Sequence, residues 1–360
     1  MNSRNQKLLY FIGPNFCVKS LAYESLKLLS EKYDVHCISE GPFIESNIFQ
    51  HHCVDFVREP SLLKDIRCLF QLIILVAKNR DCKKIVISTP KMSLLASIAC
   101  RINFKKYIYL HRGAVYQNFK GLKLKLYKFI DSTIIKRAEN ITFISESLHK
   151  WVTSELNIKH LIYTRKYNSS KGVDLTKFFP ANKSNDPNQI VIGFCGRIGR
   201  DKGFEELIQL VENYSNRSDI RILVKGKIEL CESDNSLFTE YIKNNFIEYQ
   251  SWDDQVVKFY QAINLLFFPS KREGFGNVLV EAAACGVPSL CYRIPGVIDA
   301  VVENKSGYLV DSHNDIFQRL DKLLLNKNSI LELSDSSRSI AEKNFDQSDV
   351  LKDIHQSMKL

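Results

Sequence analysis

The sequence predicts an α/β protein built from two Rossmann-like, doubly wound domains facing across a cleft. Three observations predict it. Short apolar runs take turns with helical patterns, the alternation halts at a turn-rich stretch and then restarts, and 360 residues with 45% hydrophobic content can bury two cores of ordinary size.

In the first half the strand-like runs are 7–12, 35–38, 84–88, 107–110 and 140–144, with helical patterns at 18–29, 93–102 and 147–156. In the second they are 189–194, 220–225, 247–249, 265–268, 288–292 and 307–310, with helices at 204–212 and 277–285. Runs of this length separated by helices pair in parallel, with helices on both faces of the sheet. The stretch 179–188, FPANKSNDPN, is rich in turn formers and poor in apolar residues. The expected organisation is therefore a first domain over 1–180, a linker at 181–188, a second domain over 189–345, and a closing helix at 346–360 that could cross back to the first. Doubly wound sheets bind ligands beyond the carboxyl ends of their strands, so function is expected in the loops that follow strands.

Composition narrows the class. Ten cysteines are scattered without the close pairs of zinc or redox sites, which points to the cytosol. No signal-peptide pattern opens the chain: the apolar run 8–12 ends at Gly13-Pro14. The most apolar stretch, 68–77, is about half of what spans a bilayer and is flanked by Arg67 and Lys78, so it is expected to be a core helix. The net charge of +10 hides an asymmetry. Residues 1–180 hold 29 lysines and arginines against 14 carboxylates, whereas 181–360 hold 21 against 26. Between Asp81 and Asp131 there is no acidic residue, and eleven basic ones fall there. Such a field suits phosphates: an anionic membrane leaflet, a lipid diphosphate or nucleic acid, unless it is simply a solvated face.

The chemistry concentrates at 265–281. A buried strand, LLFF, runs into the loop PSKREGFG and then into a helix beginning at Asn277. Gly274 and Gly276 allow close backbone approach, and the helix start offers unpaired N–H groups to an anion. Glu273 on the loop and Glu281 about two helical turns further on could accept hydrogen bonds from the hydroxyls of a sugar and a ribose. Local chemistry alone leaves this even with a plainer reading, in which Glu273 is a charge at a helix N-terminus and Glu281 an exposed helix residue. A second element, CGRIGRDKGF at 195–204, places Arg197 and Lys202 after a strand and beside a helix start, where two cations can neutralise a diphosphate.

The run EGFGNVLVEAAACGVP at 273–288, continued by Pro295-Gly296 and ENKSGYLV at 303–310, resembles the donor-site signature of the family-4 retaining glycosyltransferases (glycosyl transferases group 1), a two-domain GT-B family. Residues 196–203 are similar to that family's arginine-to-lysine-glycine element. The resemblance implies that Glu273 contacts the transferred sugar and that Glu281 holds the ribose hydroxyls. It also implies that Gly274, Gly276 and the amides of Phe275, Asn277 and Val278 face sugar and phosphate, and that Arg197 and Lys202, beside Gly196, take the diphosphate. His111, at the end of a strand, resembles a histidine that the family places near the sugar and its departing phosphate. Gly13 and Arg112 would fall on the acceptor side, although Gly13-Pro14-Asn15 departs from the family's glycine-rich loop. The stretch NSSKGVD at 168–174 resembles an asparagine-glycine-valine-aspartate segment, with Lys171 where the family usually has asparagine. The loop at 249–252, Tyr249 to Trp252, could line the base.

The resemblance implies retaining transfer from a nucleotide sugar, with UDP ahead of GDP. The leaving group would be stabilised by Arg197, Lys202 and the helix start. No cofactor or metal is expected, and no Asp-x-Asp triplet occurs in the chain. With a basic first domain, the acceptor is expected to be a lipid-linked saccharide of bacterial O-antigen, capsule or lipopolysaccharide synthesis. The enzyme would then sit peripherally on the cytoplasmic face of the inner membrane. The alternatives are a nucleotide-sugar 2-epimerase of the same fold and a non-catalytic nucleotide-sugar-binding relative. Nucleic-acid binding is disfavoured because aromatic platforms do not interleave with the charge.

Overall fold

The computed structural model describes residues 6–42, 44–181, 189–253 and 255–360. The chain divides into two compact units: 1–166 together with 350–360, and 167–349. Each is built on a six-stranded sheet in which every pairing is parallel.

In the first unit the strands are β1 (Gln6–Phe11), β2 (Tyr33–Glu40), β3 (Gln50–Val54), β4 (Lys84–Ser88), β5 (Ile108–His111) and β6 (Asn140–Phe143), in the order β3-β2-β1-β4-β5-β6. Its main helices are α1 (Tyr23–Ser30), α2 (Leu62–Lys78), α3 (Pro90–Ile102), α4 (Gly121–Arg137) and α5 (Glu146–Glu155). Leu8, Leu9, Tyr10 and Phe11 of the central β1 are wholly buried, as a parallel strand covered on both faces requires. The strand order reverses between β1 and β4. There the Gly13 amide donates to Thr89 Oγ1 at 2.8 Å, and a Cβ on Gly13 would lie 2.7 Å from that oxygen.

The second unit repeats the design with β7 (Ile190–Cys195), β8 (Ile220–Lys225), β9 (Glu248–Gln250), β10 (Leu265–Phe268), β11 (Ser289–Tyr292) and β12 (Gly307–Val310), ordered β12-β11-β10-β7-β8-β9. Around it lie α6 (Phe204–Tyr214), α7 (Glu232–Lys243), α8 (Val256–Ala262), α9 (Asn277–Ala284), α10 (His313–Leu325) and α11 (Leu333–Asn344). Its core runs from Ile192, Phe194 and Phe204 through Leu265 and Phe267 to Leu320. The reversal of strand order falls between β7 and β10, so the loops after these two strands emerge side by side.

The boundary between the units differs from the expected one. Residues 167–180 belong to the second unit rather than the first. They are stitched there by the Ser170 hydroxyl donating to Asn277 Oδ1, by the bridge between Val173 and Asp346, and by Arg338 donating to the Phe178 carbonyl. The expected linker, 181–188, lies outside the described residues except for Ala181. At the other end, α12 (Gln347–Ser357) leaves the second unit, and from Val350 onward the chain packs with the first. His355 Nε2 lies 2.8 Å from Ser25 Oγ, and Arg165, almost fully buried, donates to Asp353 at 3.0 Å. The apolar stretch 68–77 forms most of α2, but only one side of that helix is core: Cys68, Leu72 and Val76 are buried, while Phe70 and Ile74 are exposed. Among the described residues no helix is long and apolar enough to cross a membrane.

Candidate donor site

The two sequence elements singled out in the second unit meet at its switch point. After β7 the chain makes a short 3-10 turn, Arg200–Lys202, closed by Gly203 at φ +87°. A Cβ on Gly203 would lie 2.5 Å from the Pro269 carbonyl oxygen, so only glycine lets this turn press against the loop after β10. That contact delivers the Lys202 ammonium to the loop, where it meets Glu273 Oε1 at 2.5 Å and the Arg272 carbonyl at 3.2 Å. Ser270 Oγ donates to the same Glu273 oxygen at 2.9 Å, fixing the carboxylate from a second side.

Gly276, at φ +83°, turns the loop into α9 and caps it without a side-chain hydrogen bond. Glycine suits this position because of the left-handed backbone, and the helix start is left without a side-chain cap. The Phe275 side chain turns inward against Phe345, ring centroids 5.7 Å apart, so Phe275 can offer a ligand only its backbone. About one turn along α9, Glu281 is only 6% exposed, which rules out the plainer reading of a solvated helix residue. Its carboxylate accepts from Lys171 Nζ at 2.9 Å and from the Tyr260 hydroxyl at 3.1 Å. A buried carboxylate costs several kcal/mol unless paired, and these two partners supply that pairing.

Arg197 points its guanidinium at Asp201 and Glu229, each at 2.8 Å, and Arg272 reaches Asp201 at 3.3 Å. Burial alone would raise the Asp201 carboxyl, but Arg197, Lys202 and Arg272 together carry it below its ordinary value. For Arg197 burial opposes the charge, and Asp201 and Glu229 hold it on more firmly than usual. Three cations and their carboxylates thus form one charge network around the loops after β7 and β10. An incoming dianion could take the cations over from their carboxylates. Arg200 lies apart on the surface, paired with Asp234. Of the 249–252 loop, Tyr249 donates to the Gly226 carbonyl and Trp252 is half exposed.

Asp201, Glu229, Ser270 and Tyr260 were not singled out from sequence. Asp201 had a readable signal, standing four residues after Arg197; Glu229, in the loop after β8, and Tyr260, on α8, reach the site from elsewhere in the chain and had none.

In the first unit, His111 ends β5 and is wholly buried between Tyr109 and Phe143. Its Nε2 lies 3.1 Å from Asp131 Oδ2, while Nδ1 is buried without a hydrogen-bond partner among the described residues. Asp131 also accepts from the hydroxyls of Tyr109 and Tyr116. Burial pushes the Asp131 carboxyl up, yet His111 and the two hydroxyls bring it below its usual value, so it is ionised and accepts. Arg112 turns inward, donating to Ser88 Oγ at 2.9 Å and toward Tyr10 and the Leu21 carbonyl.

Two doubly wound parallel sheets, each with loops gathered at its switch point, define the two-domain GT-B architecture. Solved structures agree on that fold. HepE of Anabaena in complex with UDP matches 98% of this chain and 100% of its own at a TM-score of 0.74 and 15% identity. Sucrose-phosphate synthase of Thermosynechococcus elongatus matches 99% of this chain and 98% of its own at 0.80 and 16%. In sequence, the capsular polysaccharide biosynthesis glycosyltransferase CapM of Staphylococcus aureus is 29% identical over 95% of this chain and 94% of that protein. Residues 176–343 match the family of glycosyl transferases group 1, and that match, the capsular relative and the shared fold together support a group 1 glycosyltransferase related to bacterial capsule enzymes.

Proposed function

We propose that the protein is a retaining transferase that moves a hexosyl or N-acetylhexosaminyl group from a nucleotide-diphosphate sugar, a UDP-sugar first and GDP second, to a lipid-linked saccharide. The pathway is the building of a bacterial surface polysaccharide: capsule, O-antigen or lipopolysaccharide. The observation that carries the donor assignment is the pairing of Lys202 with Glu273 just before α9, with Arg197 joined to the same charge network through Asp201 and Glu281 buried on that helix. HepE has been solved with UDP-glucose as well as with UDP, which supports a UDP-sugar here.

In this reading Glu273 accepts hydroxyls of the transferred sugar and Glu281 those of the ribose. Gly274, Gly276 and the backbone of Phe275, Asn277 and Val278 approach the sugar and phosphate, with Gly196 at the strand end. As the bond to the anomeric carbon breaks, negative charge grows on the departing phosphate. Arg197, Lys202 and the α9 amides stabilise it more than they stabilise the ground state, which is what accelerates the step. Those fixed cations supply the charge a divalent ion would otherwise bring, so no metal or cofactor is required. The departing phosphate helps take the acceptor proton on the same face, giving retention. Asp131 holds His111 with its Nε2 proton directed to the carboxylate. In this reading the wholly buried His111 ring backs the wall of the site near the sugar and its departing phosphate. Gly13 and Arg112 stand on the acceptor side, and Arg112 acts there by shaping the wall, its guanidinium being engaged by Ser88 and Tyr10. The enzyme works in the cytoplasm, peripherally on the inner membrane, and takes no nucleic acid.

The test is turnover of a UDP-sugar with a lipid-linked saccharide in chelator, followed by NMR of the product's anomeric centre. The expected result is undiminished turnover and the donor's own configuration. An inverted product refutes retention, and activity lost in chelator and restored by a divalent ion refutes metal independence.

A further inference from the structure

The first unit carries a surface that its own fold does not use. On α2, Leu62, Leu63, Ile66, Phe70 and Ile74 recur at helical spacing on the side opposite the buried Cys68, Leu72 and Val76, and all five are exposed, Leu63 at 82%. On α4, Leu122, Leu126 and Phe129 form a second exposed stripe, with Leu122 at 83%. Helix α3 packs against both and fills the space between them. An isolated exposed leucine needs no explanation, but aligned stripes on two helices of one layer mark an interaction surface.

What covers the surface is decided by its rim. Lys120, Lys123 and Lys125 alternate with the α4 stripe and have no carboxylate partner among the described residues, and Lys123 stacks over the Phe119 ring at 4.1 Å. Lys64, Arg67 and Lys78 flank the α2 stripe, and no acidic residue occurs from 82 to 130. Protein interfaces are depleted in lysine. Apolar stripes edged by lysine are instead what an anionic lipid surface selects, since lysine stems lie along the apolar layer while their ammonium groups reach lipid phosphates. Both stripes begin at the N-terminal ends of their helices, the same end of the sheet as Gly13 and Arg112, because helices that follow parallel strands start where those strands finish.

We propose that the outer sides of α2 and α4 dock the first unit onto an anionic bilayer, with the leucines and phenylalanines at the acyl boundary and the lysines among the headgroups. This rests on the reading of a lipid-linked acceptor and names the surface that brings the enzyme to it.

The test is flotation of the full chain with vesicles of phosphatidylcholine, alone or mixed with phosphatidylglycerol, at low and raised salt. UDP binding is measured in parallel by calorimetry. Wild-type protein should float with the anionic vesicles and much less with the neutral ones. Replacing Lys120, Lys123 and Lys125 together with glutamine should weaken binding on the order of a hundredfold. Phe70→Ser with Phe129→Ser should abolish the fraction that resists salt, and both variants should bind UDP as the wild type does. Variants that float like the wild type overturn the proposal, as does a concentration-dependent dimer that the serine variant loses while no protein floats. Loss of UDP binding in the wild type with flotation intact would refute the donor reading and leave the docking surface standing.

Discussion

Lys202 and Glu273 are 2.5 Å apart and retain 18% and 15% of their side-chain exposure, so they should act as a unit. Exposed pairs contribute up to about 1 kcal/mol, and breaking fully buried ones costs about 3–5 kcal/mol. A pair this sheltered, with Ser270 still holding Glu273, should show a coupling of about 1–2 kcal/mol to stability. In catalysis the loss is larger. Removing one group aimed at transition-state charge costs about 3 kcal/mol, or on the order of a hundredfold in rate. Lys202→Met and Glu273→Gln should each lower kcat/KM by about that factor. The double variant should fall little further, because either change alone already breaks the pair that acts as a unit. A double-mutant cycle on kcat/KM, with denaturant unfolding on the same four proteins, measures both couplings. Losses that multiply to about ten-thousandfold would show that the two groups act independently, and near-normal turnover in either single variant would refute the assigned roles.

Three further outcomes follow from particular contacts. Lys171→Asn keeps a donor for Glu281 and should weaken UDP binding by less than about tenfold, whereas Lys171→Met leaves Tyr260 alone on that carboxylate and should cost about 1–2 kcal/mol of stability; unchanged unfolding in the methionine variant would show that the pair contributes nothing. Asp353→Asn strips the counter-charge from Arg165 and should destabilise the first unit by about 3 kcal/mol, read by urea unfolding; a wild-type midpoint would contradict the anchoring of the closing helix. Burial pushes the His355 imidazole down to about 4, so the fold keeps it neutral while the unfolded chain protonates from about 6.5 downward. A lowered histidine contributes fully above the unfolded value and loses its contribution as pH falls, by about 2 kcal/mol near pH 5. Burial lowers His51, His52 and His149 in the same direction. His355→Gln, which can still bond Ser25, should flatten the acid side of the stability profile, and an unchanged slope would contradict this.

Much of the fold was legible because parallel strands covered on both faces must be continuously apolar. Residues 84–88, 220–225, 265–268 and 307–310 are strands with the ends read from sequence. What escaped has physical reasons. β3 is a polar edge strand, QHHCV, without the apolar signal. The start of α4, LKLKLYK, alternates with the period of a strand although it is helical, and α7 buries only Phe238. The glycines and charged residues of the two motifs stood out in the sequence through their resemblance to a donor-site signature, since local chemistry alone left them even with a plainer reading. The partners were not readable, since Lys171 and Glu281 stand 110 positions apart and meet only when 167–180 joins the second unit. His111 was read as a strand-end residue, but its burial and its bond to Asp131 depend on α4, which the pattern hid.

The central claim is that the loops after β7 and β10, with the start of α9, bind the diphosphate and ribose of a nucleotide sugar. Saturation-transfer NMR of UDP and GDP, with wild-type protein and with Glu281→Ala and Arg197→Met, tests it most directly. The expected result is strong transfer to the ribose and base protons of one nucleotide, reduced on the ribose by Glu281→Ala and lost throughout with Arg197→Met. Absence of transfer from either nucleotide to the wild-type protein, or transfer that both variants leave intact, would contradict it.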